Sequence, residues 1–351
     1  MEAKTEIINM FKELSEKDRE LLLQELSIQN TSLSSDHKEE SSGSCPYCNS
    51  ALIVKYGKRG ELQKYRCKSC RHIFTPRSGT VSHKIQKRDK FEYYRKLMGK
   101  SYMSLKEIAD KVGISHQTAF DWRHKILSSI DVGTDGQFKG VAEIDDIWFL
   151  YSQKGRKGLK YTRKRGGSHK QGDNDFQAKL LIAADRDKQL ALSLIRVGRM
   201  TKADLERKIS DKFSEGCILV SDKHRSISAF AKSEGVEHIS FKSSEHTAGG
   251  EYHVQTVNNI ASRIKALVNQ RFRGVSTKYL QSYANWYKAC SKGNGIAEVS
   301  RKLDIHRIHV NREGIYKRFI ENYSRRTYRC PVQRSFVTAY KDDKMPYFNY
   351  I

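Results

Sequence analysis

The chain has 351 residues, of which 65 are Lys or Arg and 40 are Asp or Glu, so its formal net charge is +25 at pH 7. This length allows two or three domains, and the charge favours a polyanionic partner, although ribosomal and membrane-surface proteins can be as basic. The sequence lacks a bilayer-spanning apolar run and begins unlike a signal peptide. Its seven Cys include two C-x-x-C pairs, which suit metal binding in a reducing compartment, so we expect a cytoplasmic protein without a membrane partner.

The N-terminal region divides into a helical segment, residues 1–28, and a linker, residues 29–44. In the first segment apolar residues recur at helical spacing, and Ser15 followed by Asp18 resembles a capping box that starts a second short helix. The second segment is rich in Ser and other polar residues and contains no aromatic residue, which is typical of a flexible linker.

Residues 45–80 have the cysteine pattern of a zinc ribbon. Two C-x-x-C knuckles are separated by 18 residues, a spacing that can place four thiolates around one structural Zn²⁺. Residues 56–60 are predicted as the tip of a hairpin, and residues 73–75 as a further strand. A redox pair or unrelated thiols would be the alternative to zinc. The four predicted zinc ligands are Cys45, Cys48, Cys67 and Cys70.

Residues 87–130 are predicted to be helical and to contain a helix-turn-helix DNA-binding unit. Ser104 with Glu107 predicts a capping box on one helix, Gly113 a turn, and Ser115 the cap of the next helix. Ile108, Val112, Ile114, Ala119 and Trp122 are the predicted core. A helical hairpin without DNA-binding function would show the same periodicity. The residues expected to be exposed toward the DNA are His116, Gln117, Thr118, Asp121, Arg123 and Lys125.

Residues 139–295 are predicted to form an α/β domain with a mixed sheet, because a hairpin-like start is followed by alternating helices and strands. The tail, residues 296–351, is basic and rich in Tyr, and its structure is left open. The candidate strands are 141–151, 177–185, 189–197, 217–221 and 237–241, and the candidate helices are 201–213, 223–234 and 254–270.

Polar side chains in this domain suggest a site for hard divalent cations. Asp145 lies within an apolar strand, where a buried acid requires a cation or another partner. Asp222 follows a short apolar run at its carboxyl end, the usual position of chemistry in open α/β sheets. Asn258 offers a carbonyl oxygen, and Lys265, seven residues later on the same predicted helix, lies about two turns away on the same face. An isolated Asp at a strand end is more often a cap or a surface group, so the inference depends on the whole set.

A basic, Gly-containing stretch follows the first of these strands. Between Ser152 and Gly172 there are eight Lys or Arg residues and no acid. A stretch of this kind is often only a solvated surface, but its position beside the acids favours a mobile loop that holds DNA phosphates. The predicted DNA-contacting residues here are Lys154, Arg156, Lys157, Lys160, Arg163, Lys164 and Arg165.

In this order the motifs resemble the DDE superfamily of insertion-sequence transposases, and among them the ISXO-like family numbered fifteen-ninety-five. The family's Val-Asp-Glu-Thr strand is similar to residues 144–147, its Ser-Asp turn to Ser221-Asp222, and its His-x-x-Thr-Val-Glu/Asn helix to residues 253–258. The family's trailing Lys matches Lys265. The 35 residues between Asp222 and Asn258 also agree with the superfamily. The resemblance covers about residues 45–290.

The resemblance implies a zinc ribbon and a helix-turn-helix followed by an RNase H-like, that is, retroviral-integrase-like, catalytic domain. It further implies a DNA transposase in which Asp145, Asp222 and Asn258 hold two Mg²⁺ ions (or Mn²⁺) for hydrolytic cleavage and strand transfer, with Lys265 positioning DNA. The expected partners are the double-stranded transposon ends and target DNA, bound by a homodimer or higher oligomer, in the nucleoid of a bacterial cytoplasm.

Two departures from the family pattern leave alternatives open. Asp146 replaces the usual Glu, so either Asp145 or Asp146 could face the metals, and Asn258 is a neutral third ligand that occurs within the family but cannot act as a base. The chain could therefore be an inactive or domesticated transposase, or a DNA-binding regulator. An RNase H-like nuclease without strand transfer is a third alternative.

Overall fold

The computed structural model describes residues 10–11, 13–15, 18–19, 43–60, 62–78, 81–130, 136–155, 172–174, 176–242, 247–248 and 252–291. They fall into two compact units, one ending at Ile126 and the other beginning at Leu127. Near the N-terminus, Ser15 Oγ accepts a hydrogen bond from the Asp18 N–H over 3.2 Å, which is half of the predicted capping box. The predictions for the linker up to residue 42 and for the tail from residue 296 lie outside the described residues. Among the described residues, no helix combines the length and apolar character needed to cross a membrane.

The first unit contains a small antiparallel sheet formed by β1 (Ile53–Arg59), β2 (Leu62–Cys67) and β3 (Ile73–Phe74). Side chains alternate along each strand, so one face of the sheet packs on the cysteine-rich core, whereas the other is exposed. The hairpin tip predicted at residues 56–60 begins too early, because β1 continues through Arg59 and only Gly60 of that range lies in the turn. Gly57, with a φ of +68°, lies where the β1–β2 register shifts, so it allows a bulge within the strand.

Three helices follow along the chain: α1 (Arg88–Lys100), α2 (Leu105–Val112) and α3 (His116–Ser129), the last of which continues past the boundary at Ile126. The capping box of α2 is present as predicted, since the Ser104 N–H donates to Glu107 Oε2 over 2.7 Å and the Glu107 N–H donates to Ser104 Oγ. Gly113 ends α2 in the left-handed region, which glycine adopts without strain. Ser115 caps α3 as predicted, accepting from the Thr118 N–H over 3.1 Å.

Aromatic packing holds α1 against α3. The Trp122 ring contacts Phe91 and Tyr94 edge-on, with ring centroids 5.1 and 5.6 Å apart, and the Tyr94 hydroxyl donates to the Ala119 carbonyl over 2.7 Å. Ile108, Val112, Ala119 and Trp122 are buried as predicted, whereas Ile114 is only half-buried. The helices therefore share one small core.

The second unit is built on a mixed sheet. Its described strands are β4 (Val141–Leu150), β5 (Gln177–Asp185), β6 (Leu190–Val197), β7 (Ile218–Asp222) and β8 (Glu237–Phe241), in the spatial order β6-β5-β4-β7-β8. β4, β5 and β6 pair antiparallel in a meander, and β7 and β8 extend the sheet in parallel with β4. The predicted mixed α/β sheet is thereby confirmed.

Helices connect and cover this sheet. They are α4 (Lys202–Ile209), which continues as a 3₁₀ turn Ser210–Lys212, α5 (Arg225–Glu234), α6 (Gln255–Lys265), which continues as a π-helix Ala266–Arg271, and, after a 3₁₀ turn Thr277–Tyr279, α7 (Leu280–Ser291). Two short strands, β9 (Thr247–Ala248) and β10 (Tyr252–His253), pair with each other before α6. The helix α7, the β9–β10 pair and the π-helix were not predicted from the sequence.

The two faces of the sheet have different partners. Ala142 and Ile144 of β4 lie in a core shared with Leu205 of α4 and Phe230 of α5. Since side chains alternate, Glu143 and Asp145 point to the opposite face, where α6 packs on β4 and β5. On the edge strand β6, the Gln281 side chain of α7 accepts from the Leu194 N–H and donates to the Leu192 carbonyl, so it satisfies backbone groups that an edge strand would leave unpaired.

Candidate active site

Strand register places Asp145 and Asp222 beside each other. β4 and β7 are parallel and pair Ala142 with Leu219 and Glu143 with Val220. Two residues further along each strand, on the same face, are Asp145 and Asp222. Asp222 is the last residue of β7, so both carboxylates lie where this strand ends. The sequence alone only predicted that these two acids lie close together, and the strand register explains why they do.

The electrostatics of the pair agree with this proximity. The pKa of Asp145 is raised to about 7, first by burial and then by the negative charges of Asp222 and Asp146. The Asp146 N–H, which donates to Asp145 Oδ1 over 2.7 Å, and the positive charge of Lys265 oppose that rise. The pKa of Asp222 is also raised, chiefly by burial, although His224 acts in the opposite direction. Two acids with raised pKa values side by side would be stabilised by a cation.

The donor set fits a divalent cation. Asp222 Oδ1 is buried and has no hydrogen-bond partner among the described residues, although buried carboxylate oxygens are ordinarily paired or metal-bound. Together with Asp145 it offers the hard oxygen ligands that Mg²⁺ and Mn²⁺ prefer. Asp145 and Asp222 are therefore the residues that could hold such an ion.

Asp146 points away from this pair. Its Oδ2 lies 2.8 Å from Lys179 Nζ, and the same ammonium lies 2.5 Å from Asp173 Oδ1. Burial lowers the pKa of Lys179, but hydrogen bonds and the charges of the two acids outweigh it, so its pKa is raised overall. Lys179 thus holds Asp146 on the other face of β4 and leaves Asp145 facing the side of Asp222.

Glu143 anchors α6 to β4. This carboxylate is 1 % exposed and accepts hydrogen bonds from Thr256 N (2.8 Å), Thr256 Oγ1 (2.7 Å) and Val257 N (3.2 Å) in the first turn of α6. His253 Nδ1 lies 3.2 Å from Glu143 Oε1. The same nitrogen accepts a hydrogen bond from the Gln255 N–H, at the start of α6, over 3.4 Å.

The anchored helix carries the other two predicted residues. Lys265, the last residue of α6, is exposed and close enough for its charge to lower the pKa of Asp145. Asn258 is exposed and lies on the same face of α6, roughly 10 Å nearer its start. The structure therefore places Asp222 and Lys265 each close to Asp145 and places Asn258 on the helix that β4 anchors.

The four predicted zinc ligands form a compact cluster. The Sγ atoms of Cys45, Cys48, Cys67 and Cys70 lie within 4.8 Å of one another. Throughout the described parts of the chain, no other group of three or more His, Cys, Asp or Glu side chains meets the same condition. A hydrogen bond from the Cys70 N–H is the main reason that the pKa of the Cys67 thiol is lowered to about 6. This arrangement is compatible with a tetrahedral Zn²⁺ site.

The residues predicted to face DNA from α3 fall into two groups. His116 and Gln117 are exposed, Thr118 is half-buried, and Gln117 donates to the exposed Asp121 over 3.0 Å. The exposure expected of Arg123 and Lys125 is wrong, since they are only 1 % and 8 % exposed. Arg123 shares the inward face of α3 with Ala119 and Ile126, at helical spacing, and donates to the Met103 carbonyl. Lys125 donates to the His83 carbonyl, and burial lowers its pKa to about 8.

The basic loop is described only at its start. The Lys154 ammonium donates to the carbonyls of Gly274 (2.7 Å), Arg273 (3.0 Å) and Phe272 (3.3 Å), which follow the π-helix. Lys154 is therefore hydrogen-bonded to the backbone that follows the π-helix, and its contact with a DNA phosphate stays a prediction. The other predicted residues, Arg156, Lys157, Lys160, Arg163, Lys164 and Arg165, lie outside the described residues.

Two positioning residues were not identified as such from the sequence. No role was predicted for Glu143 from its place in an apolar strand, whereas the structure shows that its partner is a helix N-terminus. Lys179 is a charged residue near the start of the buried strand β5, whose other charged residue, Asp185, is at its end, and a buried charge in principle indicates an ion pair. The partners of Glu143 and Lys179 cannot be identified from the spacing of residues in the sequence.

Part of the chain is similar to known transposase domains. Residues 137–287 match the family of ISXO2-like transposase domains. A protein described as uncharacterized, from the transposable element ISH50 of Halobacterium salinarum, is 23 % identical over 253 residues, which are 68 % of this chain and 82 % of that protein. The family match lies within the second unit, and the ISH50 protein is similar to about two thirds of this chain.

Similar solved structures include two complexes of the mariner transposase Mos1. The paired-end complex with Mg has 14 % identity and a TM-score of 0.27, and the similarity covers 61 % of this chain and 75 % of that one. The strand transfer complex has 14 % identity and a TM-score of 0.26, covering 62 % and 75 %. TM-scores of this size indicate a weak similarity of the whole chains.

Proposed function

We propose that this protein is a DNA transposase that binds the ends of an insertion sequence and carries out metal-dependent DNA cleavage and strand transfer. The observation that carries the proposal is the pair Asp145 and Asp222, held side by side on adjacent parallel strands, with an unpartnered buried oxygen on Asp222. The match of residues 137–287 to ISXO2-like transposase domains supports the same activity. On this proposal the second unit is an RNase H-like catalytic domain of the Asp-Asp-Asn type.

In the proposed site Asp145 and Asp222 hold divalent cations, Mg²⁺ or Mn²⁺, with Asn258 as a further oxygen ligand. Such ions supply Lewis-acid stabilisation of the phosphate oxygens and lower the pKa of a bound water or hydroxyl. Glu143 keeps α6 in position, Lys265 neutralises the charge of the DNA phosphate, and Lys179 keeps Asp146 away from the ligands. The Asn258 amide is neutral, so the basicity of the site resides in the two Asp carboxylates.

The first unit is proposed to bind DNA. A three-residue turn, Gly113 to Ser115, joins α2 to α3, and the exposed His116 and Gln117 at the start of α3 suit contacts with base edges in a major groove. The cysteine cluster is proposed to hold one structural Zn²⁺. Because two transposon ends must be joined in one event, a dimer or higher oligomer on DNA is part of the proposal, as is action in the cytoplasm at the nucleoid.

The test of this function is an assay of the full-length protein with Mg²⁺ or Mn²⁺. Its substrate is linear DNA that carries the sequences flanking the protein's own reading frame. Asp145→Asn and Asp222→Asn are expected to abolish cleavage and joining and to leave DNA binding within about twofold, because DNA is bound mainly by the other unit. Asp187→Asn, in the exposed turn after β5, is the matched control and should retain activity.

The outcomes separate the alternatives. A wild-type protein that binds the flanks but neither nicks nor joins them in either metal would be a regulator or an inactive transposase. Nicking without joining would identify a nuclease. If the two Asp variants cleave as well as the wild type, the proposed site is wrong.

A further inference from the structure

The exposed face of the β1–β2–β3 sheet carries side chains that a zinc-binding core does not require. Val54, Arg66 and Ile73 are paired in one row across the three strands, and Tyr56 lies further along β1 on the same face. Val54 is 37 % exposed, Tyr56 44 % and Ile73 48 %. The opposite face, with Tyr65 and Phe74, packs on the cysteine core, so the apolar groups of the outer face do not contribute to that core.

Two cations flank the exposed aromatic ring. The Arg66 guanidinium carbon lies 5.6 Å from the centroid of the Tyr56 ring, and Lys64 Nζ lies 5.8 Å from it. Both cations therefore lie within cation–π distance of the ring, close enough to contact the phosphates that adjoin a base stacked on it.

The charge of the surrounding segment is strongly positive. Residues 45–78 contain eight Lys or Arg and a single acid, Glu61. A polyanion is therefore the electrostatically complementary partner. Phosphates alone would not need the exposed Tyr56, Val54 and Ile73, and in a duplex the faces of the bases are hidden by stacking. Unpaired nucleotides offer both an apolar base face and a phosphate.

We infer that this sheet face, defined by Val54, Tyr56, Lys64, Arg66 and Ile73, binds an unpaired DNA strand. A base stacks on Tyr56, the neighbouring apolar side chains extend that platform, and Lys64 and Arg66 contact the adjoining phosphates. The inference rests on the proposed function only for the identity of the nucleic acid as DNA. It assigns the segment a role in holding a single strand, separate from the duplex contacts proposed for α3.

Binding of a labelled oligothymidylate to the full-length protein, compared with the matching dT·dA duplex, tests the inference. Tyr56→Ala should weaken single-strand binding roughly tenfold, as loss of one base–aromatic stack does, and should leave duplex binding within about twofold. The double variant Lys64→Ala/Arg66→Ala should reduce the dependence of log K on log salt by about 1.4, the contribution of two phosphate contacts on single strands.

Lys55→Ala is the matched control, because Lys55 pairs with Tyr65 and lies on the opposite face of the same strand. Its effect on the preference for oligothymidylate over the duplex should be at most half that of the double variant. The same limit should hold for its effect on the salt dependence. Each variant must retain the zinc content of the wild type, which shows that the ribbon is folded.

Equal affinity of the wild type and Tyr56→Ala for the oligothymidylate would overturn the inference. So would an equal loss on single strand and duplex, which would indicate a general duplex contact. The catalytic proposal is tested independently, by the cleavage activity of the Asp145→Asn and Asp222→Asn variants. A protein that does not cleave DNA but loses oligothymidylate binding with Tyr56 would still bind single strands here.

Discussion

Two hydrogen bonds join Glu143 on β4 to Thr256 on α6: the Thr256 N–H donates to Oε2 over 2.8 Å, and its hydroxyl donates to Oε1 over 2.7 Å. A carboxylate at a helix N-terminus satisfies N–H groups that the helix leaves unpaired and lies at the positive end of its dipole. The strand that carries Asp145 and the helix that carries Asn258 and Lys265 are therefore fixed to each other at one point, two residues from each of Asp145 and Asn258.

Glu143→Gln is expected to lower both stability and activity. The amide keeps the size of the side chain but removes the charge and presents a donor to groups that need an acceptor, so the free energy of unfolding should fall by about 1–3 kcal/mol. DNA cleavage should fall much further than DNA binding, because the first turn of α6 shifts. Thr256→Val, which loses only the hydroxyl contact, should show a smaller decrease in both quantities, measured by thermal unfolding and by a cleavage assay.

The control for this prediction is Glu237→Gln, since Glu237 is exposed at the start of β8 and should tolerate the change. If Glu143→Gln unfolds and cleaves like Glu237→Gln, the anchoring role of Glu143 is wrong. A second measurement distinguishes positioning from simple loss of stability. Below its unfolding temperature the Glu143 variant should need more divalent metal for half-maximal cleavage, which a purely structural defect would not change.

The elements of the second unit were predictable because their periodicity is strong. The bounds of β5 and β8 agree with the sequence prediction, and those of β4, β6 and β7 differ by one residue at one or both ends. A strand buried on both faces, such as β5, is recognisable as a continuous apolar run. Helix α7 was not predicted, because its buried Tyr, Trp and Lys side chains do not form a simple apolar stripe.

Side-chain partners were much less predictable than elements. Arg123 was placed at the DNA because it is charged, yet its position on the inner face of α3 buries its long apolar stem. Asp145 was predicted from the sequence to be a metal ligand, whereas no role was predicted for Glu143, and only the packing of α6 shows that Glu143 anchors a helix. Charge and spacing specify which residues are unusual, whereas the packing of distant segments decides what each one contacts.

Divalent metal affinity should depend on pH around neutrality. Because the pKa of Asp145 is raised to about 7 in the folded protein, the proton must be displaced before the carboxylate can bind a cation. Affinity for Mn²⁺ should therefore fall about tenfold for each pH unit below 7 and level off above it. Calorimetric titration of the full-length protein with Mn²⁺ at several pH values measures this, and Asp145→Asn should abolish the dependence.

The same shift predicts the pH dependence of stability without metal. The folded state favours the protonated form of Asp145. Below the pKa that Asp145 has in the unfolded chain, the residue is protonated in both states and does not destabilise the folded protein. Above that pKa, the free energy of unfolding decreases as the pH rises toward about 7. Added Mn²⁺ should consequently raise the melting temperature more at pH 8 than at pH 5. An equal effect of Mn²⁺ at both pH values would contradict the assignment of Asp145 as a ligand.

Zinc is expected to be necessary for the fold of the ribbon. Its hydrophobic cluster is small, with Phe74 as its one large buried side chain among the described residues, and such domains usually obtain their stability from the metal. Purified protein should contain one zinc per chain, and Cys67→Ser should lose it and become protease-sensitive within residues 45–78. Cys217→Ser, a change of a buried thiol in the other unit, is the control and should keep the zinc. Protease resistance after zinc removal would exclude a structural role.

On α3, buried and exposed polar residues should respond differently to substitution. Arg123 is 1 % exposed and donates to the Met103 carbonyl over 2.8 Å, so Arg123→Ala should lower the free energy of unfolding by about 1–3 kcal/mol through lost packing and an unpaired carbonyl.

The pair His116→Ala and Gln117→Ala removes only exposed groups. It should leave stability within about 0.5 kcal/mol and weaken binding to the element's ends. Thermal unfolding and a comparison of specific with unrelated duplex DNA measure the two effects. Arg123→Ala could instead weaken binding to the element's ends without lowering the free energy of unfolding. In that case Arg123 contacts the DNA, and its side chain leaves the buried position in the complex.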